Sequence, residues 1–176
     1  DDNEISVDTD HLAEKVIITA RVPRRADLSL STVNDGEIIV SNITGTLELE
    51  NVNGPITARG INGSVIAESV NDTVDIAFSA LAGEGAMSMT SVGGNLIVRM
   101  PGNAGAELHL DSTQGEIVSD FEVEVLPSKP IVERDDRGDG TSVRVENTIV
   151  ARVNGGGPVI RLETLNGDIS ILKTGR

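Results

Sequence analysis

The sequence predicts an all-β fold, a parallel β-solenoid or roll of short strands with Asn-Gly corners, with an antiparallel β-sandwich as the alternative. Three observations predict it. The first is a short repeat: an aliphatic residue, Asn, Gly, a free position, then two aliphatics separated by one residue. Its copies begin at Ile43, Val52, Ile61 and Val70, nine residues apart. A fixed short period is the signature of repeat architectures. The second is alternation of apolar and polar residues at period two, as in Leu47-Glu48-Leu49 and Val74-Asp75-Ile76, which is strand spacing. The third is the near absence of rings: no Trp, no Tyr, and only Phe78 and Phe121. A narrow solenoid fills with Ile, Val, Leu and Ala, whereas a sandwich centre normally holds large aromatics.

The Asn-Gly turns are also the strongest short-range hairpin signal. In a two-residue hairpin at Asn53-Gly54, Val52 and Pro55 would share one face and Ile56 would take the other. A solenoid corner instead lets Val52 and Ile56 both point inward, with Thr57 facing water. Gly at the corner suits positive φ, and Asn tolerates that region while bonding to nearby backbone. Stacked Asn side chains are expected to bond as a ladder.

In chain order, residues 1–15 form a polar lead-in to a single domain spanning 1–176, with Ile5 and Val7 as a candidate edge strand. A strand over 16–22 ends at Pro23 and Arg24-Arg25. Leu28 and Leu30 alternate into the next, and Val33-Asn34-Asp35-Gly36 opens the repeats. Past Ile76 the segment 77–91 is rich in Gly, Ala, Ser and Met, with Met87 and Met89 alternating, before a further copy at Val92. Pro101, Leu108, Leu110, Gly115, Glu116 and Ile117 echo Pro23, Leu28, Leu30, Gly36, Glu37 and Ile38, so one coil spans two nine-residue units, about 18 to 22 residues. Phe121 to Leu126 alternates, 127–140 reads as an irregular surface loop, and Ser142 to Val153 alternates again. Val153-Asn154-Gly155-Gly156-Gly157-Pro158 and Leu165-Asn166-Gly167-Asp168-Ile169 supply the last corners. No stretch carries a helical period.

The repeated corners, and the run from Val153 to Pro158 followed by Ile160-Arg161-Leu162-Glu163-Thr164 and Asn166-Gly167-Asp168-Ile169, resemble the bacterial adhesin family of β-strand-repeat proteins, a domain family of unknown function. The likeness covers about residues 16–172. It implies a solenoid-like fold and an extracytoplasmic location, periplasm or cell surface; from the start Asp-Asp-Asn-Glu, without Met, any targeting segment is expected to have been removed. It brings no catalytic, cofactor-binding or metal residues.

Net charge is −14 and the isoelectric point about 4.4, which opposes nucleic acid and anionic membrane surfaces. No apolar run reaches the length that spans a bilayer, so no membrane insertion of this segment is expected. Without Cys there is neither a disulfide framework nor a thiolate site. His11 and His109 are the only imidazoles, and alternation points His109 outward between Leu108 and Leu110. Glu37, Glu48, Glu50, Glu68 and Asp75 are strand carboxylates able to pair across coils for acid/base work on a polysaccharide, against the plainer reading of solvent-facing positions. Asp135, Asp139, Gly140 and Glu146 approach a calcium-loop spacing, with Arg137 at a ligand position. Arg137-Gly138-Asp139 forms an integrin-type tripeptide, and Asn42, Asn62 and Asn71 open glycosylation-like triplets that the corners already explain. The resulting expectation is a non-catalytic, adhesin-like or structural binding module, without cofactor or catalytic metal, facing a protein or glycan surface or copies of itself. A polysaccharide lyase or hydrolase on a β-helix scaffold is the alternative.

Overall fold

The computed structural model describes residues 5–7, 16–34, 36–81, 85–127, 131–137, 140–146 and 148–175, with 131–137 and 140–146 as backbone. Among the described residues there is no helix, and the protein is all-β. The strands are β1 (Leu28–Thr32), β2 (Ile38–Ser41), β3 (Thr44–Asn51), β4 (Ile56–Ser69), β5 (Val74–Phe78), β6 (Met87–Ser91), β7 (Leu96–Met100) and β8 (Ala106–Ser112). They continue with β9 (Ile117–Ser119), β10 (Val123–Leu126), β11 (Ile131–Arg137), β12 (Gly140–Glu146), β13 (Ile149–Val153), β14 (Val159–Thr164) and β15 (Ile169–Lys173).

Thirteen strands form one mixed sheet, in two walls. The first wall runs β1-β3-β4-β6-β14-β8-β13-β10 and the second β2-β4-β5-β7-β15-β9. All of these pairs are parallel except β8 with β13 and β13 with β10. The strand β4 serves both walls, its first residues pairing with β2 and β5 and its last with β3 and β6. Eighteen residues separate Ile38 from Ile56 and Ile56 from Val74, which are register partners, so a turn of chain comprises two nine-residue units.

The two units are not alike. Ile43 and Ile61 are buried at the junction where the chain passes from the second wall to the first, and in β4 it passes without a break. At the opposite junction the chain makes a true corner. Val52 there is 36% exposed, and Val70, Val92 and Leu165 are similar. The expectation that Val52 joins Ile56 in the core is therefore corrected: Ile56 is fully buried and Val52 sits at the outer tip. The residue before it, Asn51, turns inward instead. A hairpin at Asn53-Gly54 is nevertheless absent, because Ile56 pairs in parallel with Ile38 and Val74.

Glycine at the corner answers to close approach and not to positive φ, which corrects the second expectation there. A Cβ on Gly54 would collide with the Gly36 carbonyl oxygen, one on Gly94 with that of Asp72, and one on Gly167 with that of Gly94. The Asn ladder is present: the Asn71 amide donates to Asn53 Oδ1 at 2.6 Å, and Asn53 donates to the Val33 carbonyl at 3.2 Å.

Chain order and stacking order part company at the C-terminus. The pair β14–β15 lies between β6–β7 and β8–β9. The chain reaches this slot by returning antiparallel as β13 on one side of β8, then crossing over the start of β8 to its other side. The crossing is the Asn154-Gly155-Gly156-Gly157 run, with φ of 48°, 84° and 94° at its first three residues. Asn154 donates to the carbonyls of Gly102 (3.2 Å) and Ala104 (2.8 Å) beneath it. This run joins two strands of one wall, so it is not a corner like those at Asn53 and Asn71.

Two further expectations change. The stretch 127–140, expected as an irregular loop, contains β11 and the first residue of β12, which pair antiparallel with Ile131 opposite Glu146 and Arg137 opposite Gly140. The segment 16–22, expected as a strand, joins no strand pair among the described residues, and Val16, Ile17, Ile18 and Val22 are exposed. Inward residues of both walls form one aliphatic core, which includes all three Met residues, with Phe78 inside it and Phe121 at its edge under Lys173.

Candidate binding surface

Inside each corner runs a polar file that sequence reasoning missed. Register places Thr32, Asn51, Ser69, Ser91, Thr164 and Ser112 side by side on successive strands of the first wall. Asn51, Ser69, Ser91 and Thr164 are buried. Their side chains occupy backbone groups that the corners leave unpaired, as buried polar groups must. Asn51 donates to the Gly36 carbonyl at 2.6 Å, and Ser91 Oγ accepts from the Gly94 N–H at 2.9 Å. Thr164 donates to the Gly94 carbonyl at 3.0 Å and Ser112 to the Gly167 carbonyl at 3.0 Å. The signal was legible: a hydroxyl or amide residue immediately precedes each corner aliphatic at Val52, Val70, Val92 and Leu165.

The outer face of the first wall carries the acidic residues in files. One file reads Ser31, Glu50, Glu68, Thr90, Glu163, Asp111 across six adjacent strands. Neighbouring strands lie about 4.8 Å apart, so Glu50 and Glu68 stand side by side, as do Glu163 and Asp111. Among the described residues none of these four carboxylates joins an ion pair; the pairs fall elsewhere. Like charges in adjacent positions repel, and here hydration holds that cost down because Glu50, Glu68 and Glu163 are exposed.

The remaining candidates separate. Asp75 lies on the second wall, where it accepts from Arg59 Nη1 at 2.9 Å and Arg99 Nε at 3.2 Å, and pairs with Arg59 Nη2. Glu48 lies beside Ile66 and Glu37 is exposed just before β2. His109 faces outward as expected and meets Glu107 at 3.1 Å, while Arg152 approaches Glu107 at 3.4 Å. The hydrogen bond from His109 holds the Glu107 carboxyl below its usual range, with Arg152 adding to the effect. His11 and Asp139 lie outside the described residues. Asp135 and Glu146 sit on opposite strands four register steps apart, about 13 Å along the hairpin, so the calcium-loop spacing does not bring them together.

An open groove of about 500 Å³ lies at the opposite junction, floored by Gly45 and Gly63 and edged by Arg25, Asp27, Asn62 and Ser64. Its one carboxylate, Asp27, is engaged by the Thr46 N–H at 2.7 Å. Among the described residues no group of three His, Cys, Asp or Glu gathers as a metal site. No helix among them is long and apolar enough to cross a membrane. Comparison with protein-family models, curated proteins and solved structures gives no match.

Proposed function

We propose that this chain is a non-catalytic, adhesin-like β-roll module of the extracytoplasmic space, whose regular outer face engages a protein or glycan surface or further copies of itself. The roll is a short parallel solenoid, eighteen residues per turn in its first turns, shut at one end by the antiparallel strands β13 and β10. The observation that carries the reading is the file of Glu50, Glu68, Glu163 and Asp111 on the outer face of the first wall. Carboxylates set in register, and joined in no ion pair among the described residues, favour a partner with regularly placed positive charge. A glycan and protein binding screen on the purified chain tests it. Binding is expected to weaken with rising salt and to fall in the triple variant Glu50→Gln, Glu68→Gln, Glu163→Gln. Binding unchanged in that variant would remove the acidic file from the account.

One observation favours the rival carbohydrate-active enzyme. Glu50 and Glu68 are register partners on strands about 4.8 Å apart, a backbone spacing that allows the carboxyl separation of about 5–5.5 Å that retaining glycosidases use. Incubation with acidic and neutral polysaccharides decides between the readings. Turnover lost in Glu68→Gln would establish the enzyme; no release of reducing ends or unsaturated products is expected.

A further inference from the structure

Among the described residues the apolar segment 16–22 has no strand partner. Ile17 is 79% exposed, Ile18 57% and Val16 48%, and Thr19, Ala20 and Arg21 are exposed as well. β-branched residues at alternating positions with a free backbone form a ready template for edge pairing. At the far end of the first wall the outermost strand, β10, has the complementary defect. Val123 and Val125 are opposite the buried Val153 and Ala151, so they point to the core side of the sheet. Yet they are 39% and 65% exposed, because among the described residues no strand lies beyond them.

We propose that residues 16–22 of one copy add as a strand to the free edge of β10 in a second copy, head to tail. This deepens the reading of the chain as a self-engaging module and rests on it. Val16, Ile18, Ala20 and Val22 share one strand face and cover Val123 and Val125. The other face carries Arg21, and Arg24 and Arg25 follow; on β10 the outward residue is the exposed Glu124, with Glu122 just before it. Charge therefore matches on the same face on which the apolar side chains do not meet. The donor has to come from another molecule. Arg24 and Arg25 are held beside Thr44, at the β1 end of the wall. From β1 to β10 there are seven strand steps, about 34 Å at ~4.8 Å each. Seven extended residues reach at most about 25 Å, so the segment cannot lie along its own β10. A donor at one end and an acceptor at the other do not close on each other, so the contact propagates.

Sedimentation of the full chain over a concentration series tests this, with two variants at exposed positions, Ile18→Asp (donor spoiled) and Val125→Asp (acceptor spoiled), whose like charges also keep the two spoiled ends apart. The parent is expected to grow beyond a dimer with concentration, and each variant alone to associate at least about tenfold more weakly, the loss of one aliphatic burial. Mixed together, the two variants are expected to form a one-to-one dimer that grows no further, because one intact donor and one intact acceptor remain. A parent that stays monomeric, variants that associate like the parent, or a mixture with no heterodimer would each overturn the proposal. Docking of the segment on its own molecule gives the first of these results. Monomeric parent protein that still binds a partner through Glu50, Glu68 and Glu163 would sink this inference and leave the module reading standing.

Discussion

Replacing Ile56 and Val52 in turn by Asp separates the two sides of one corner. Ile56 has no exposed surface, and its register partners Ile38 and Val74 are themselves buried. Its loss forfeits about 1.5–3 kcal/mol of side-chain burial. The new carboxylate has no cation among those neighbours, so it adds a desolvation cost or stays protonated. Together Ile56→Asp is expected to cost about 4 kcal/mol or more, a large share of the 5–15 kcal/mol typical of a domain. Val52 is 36% exposed at the tip, and its side chain can tilt the carboxylate into water. Val52→Asp is expected to cost about 1 kcal/mol or less. Urea unfolding of both variants beside the parent, with slopes checked for a shared transition, measures the difference. Equal costs would refute the reasoning, because they would place both residues on the core side of the corner.

The buried polar file gives a second prediction. Thr164→Val keeps the volume but leaves the Gly94 carbonyl without its donor, at a cost of about 1–3 kcal/mol in urea unfolding, whereas Thr164→Ser keeps the donor and is expected to cost about 1 kcal/mol or less. The third concerns pH. Glu107 has its folded carboxyl lowered by His109 and Arg152, so its contribution is present above the ordinary carboxylate range and fades as pH falls through the lowered value. Glu107→Gln is therefore expected to be less stable than the parent at neutral pH and to converge with it at acid pH, below the usual value of 4.5, as followed by urea midpoints.

The repeat and its strands were legible because period-two alternation survives in Leu47-Glu48-Leu49 and Val74-Asp75-Ile76, which alternate inward and outward, as does the wholly apolar Leu96-Ile97-Val98. The doubled unit was legible in its eighteen-residue length but not in its asymmetry. Ile43 and Val52 look equivalent in sequence, and only the unbroken passage of β4 through Gly60 to Gly63 makes one junction a bend and the other a corner. The place of the C-terminal strands could not be read, since local pattern records strand propensity and not which edge a returning strand finds. The Asn154 to Gly157 run looked like one more corner, although its three consecutive glycines were a sign of the positive φ path that it takes. Of the candidate carboxylates, Glu50 and Glu68 came together because they are one turn of chain apart, while Asp75 fell on the other wall beside Arg59 and Arg99. The segment 16–22 shows the converse failure: strand propensity was present, and among the described residues no partner strand was.

The insertion of β14–β15 between β6–β7 and β8–β9 is what brings Glu163 between Thr90 and Asp111 and completes the acidic file. Disulfide trapping tests it most directly, since the chain has no native Cys. Ser88, Arg161 and His109 occupy consecutive strands in register, with Arg161 in the middle. Adjacent strands at about 4.8 Å fall within disulfide reach, and strands two steps apart, at about 9.6 Å, do not. Mild oxidation is expected to link Ser88→Cys with Arg161→Cys and to leave Ser88→Cys with His109→Cys reduced. Linkage of positions 88 and 109 without linkage of 88 and 161 would mean that the strands stack in chain order, and would contradict both the insertion and the binding surface built on it.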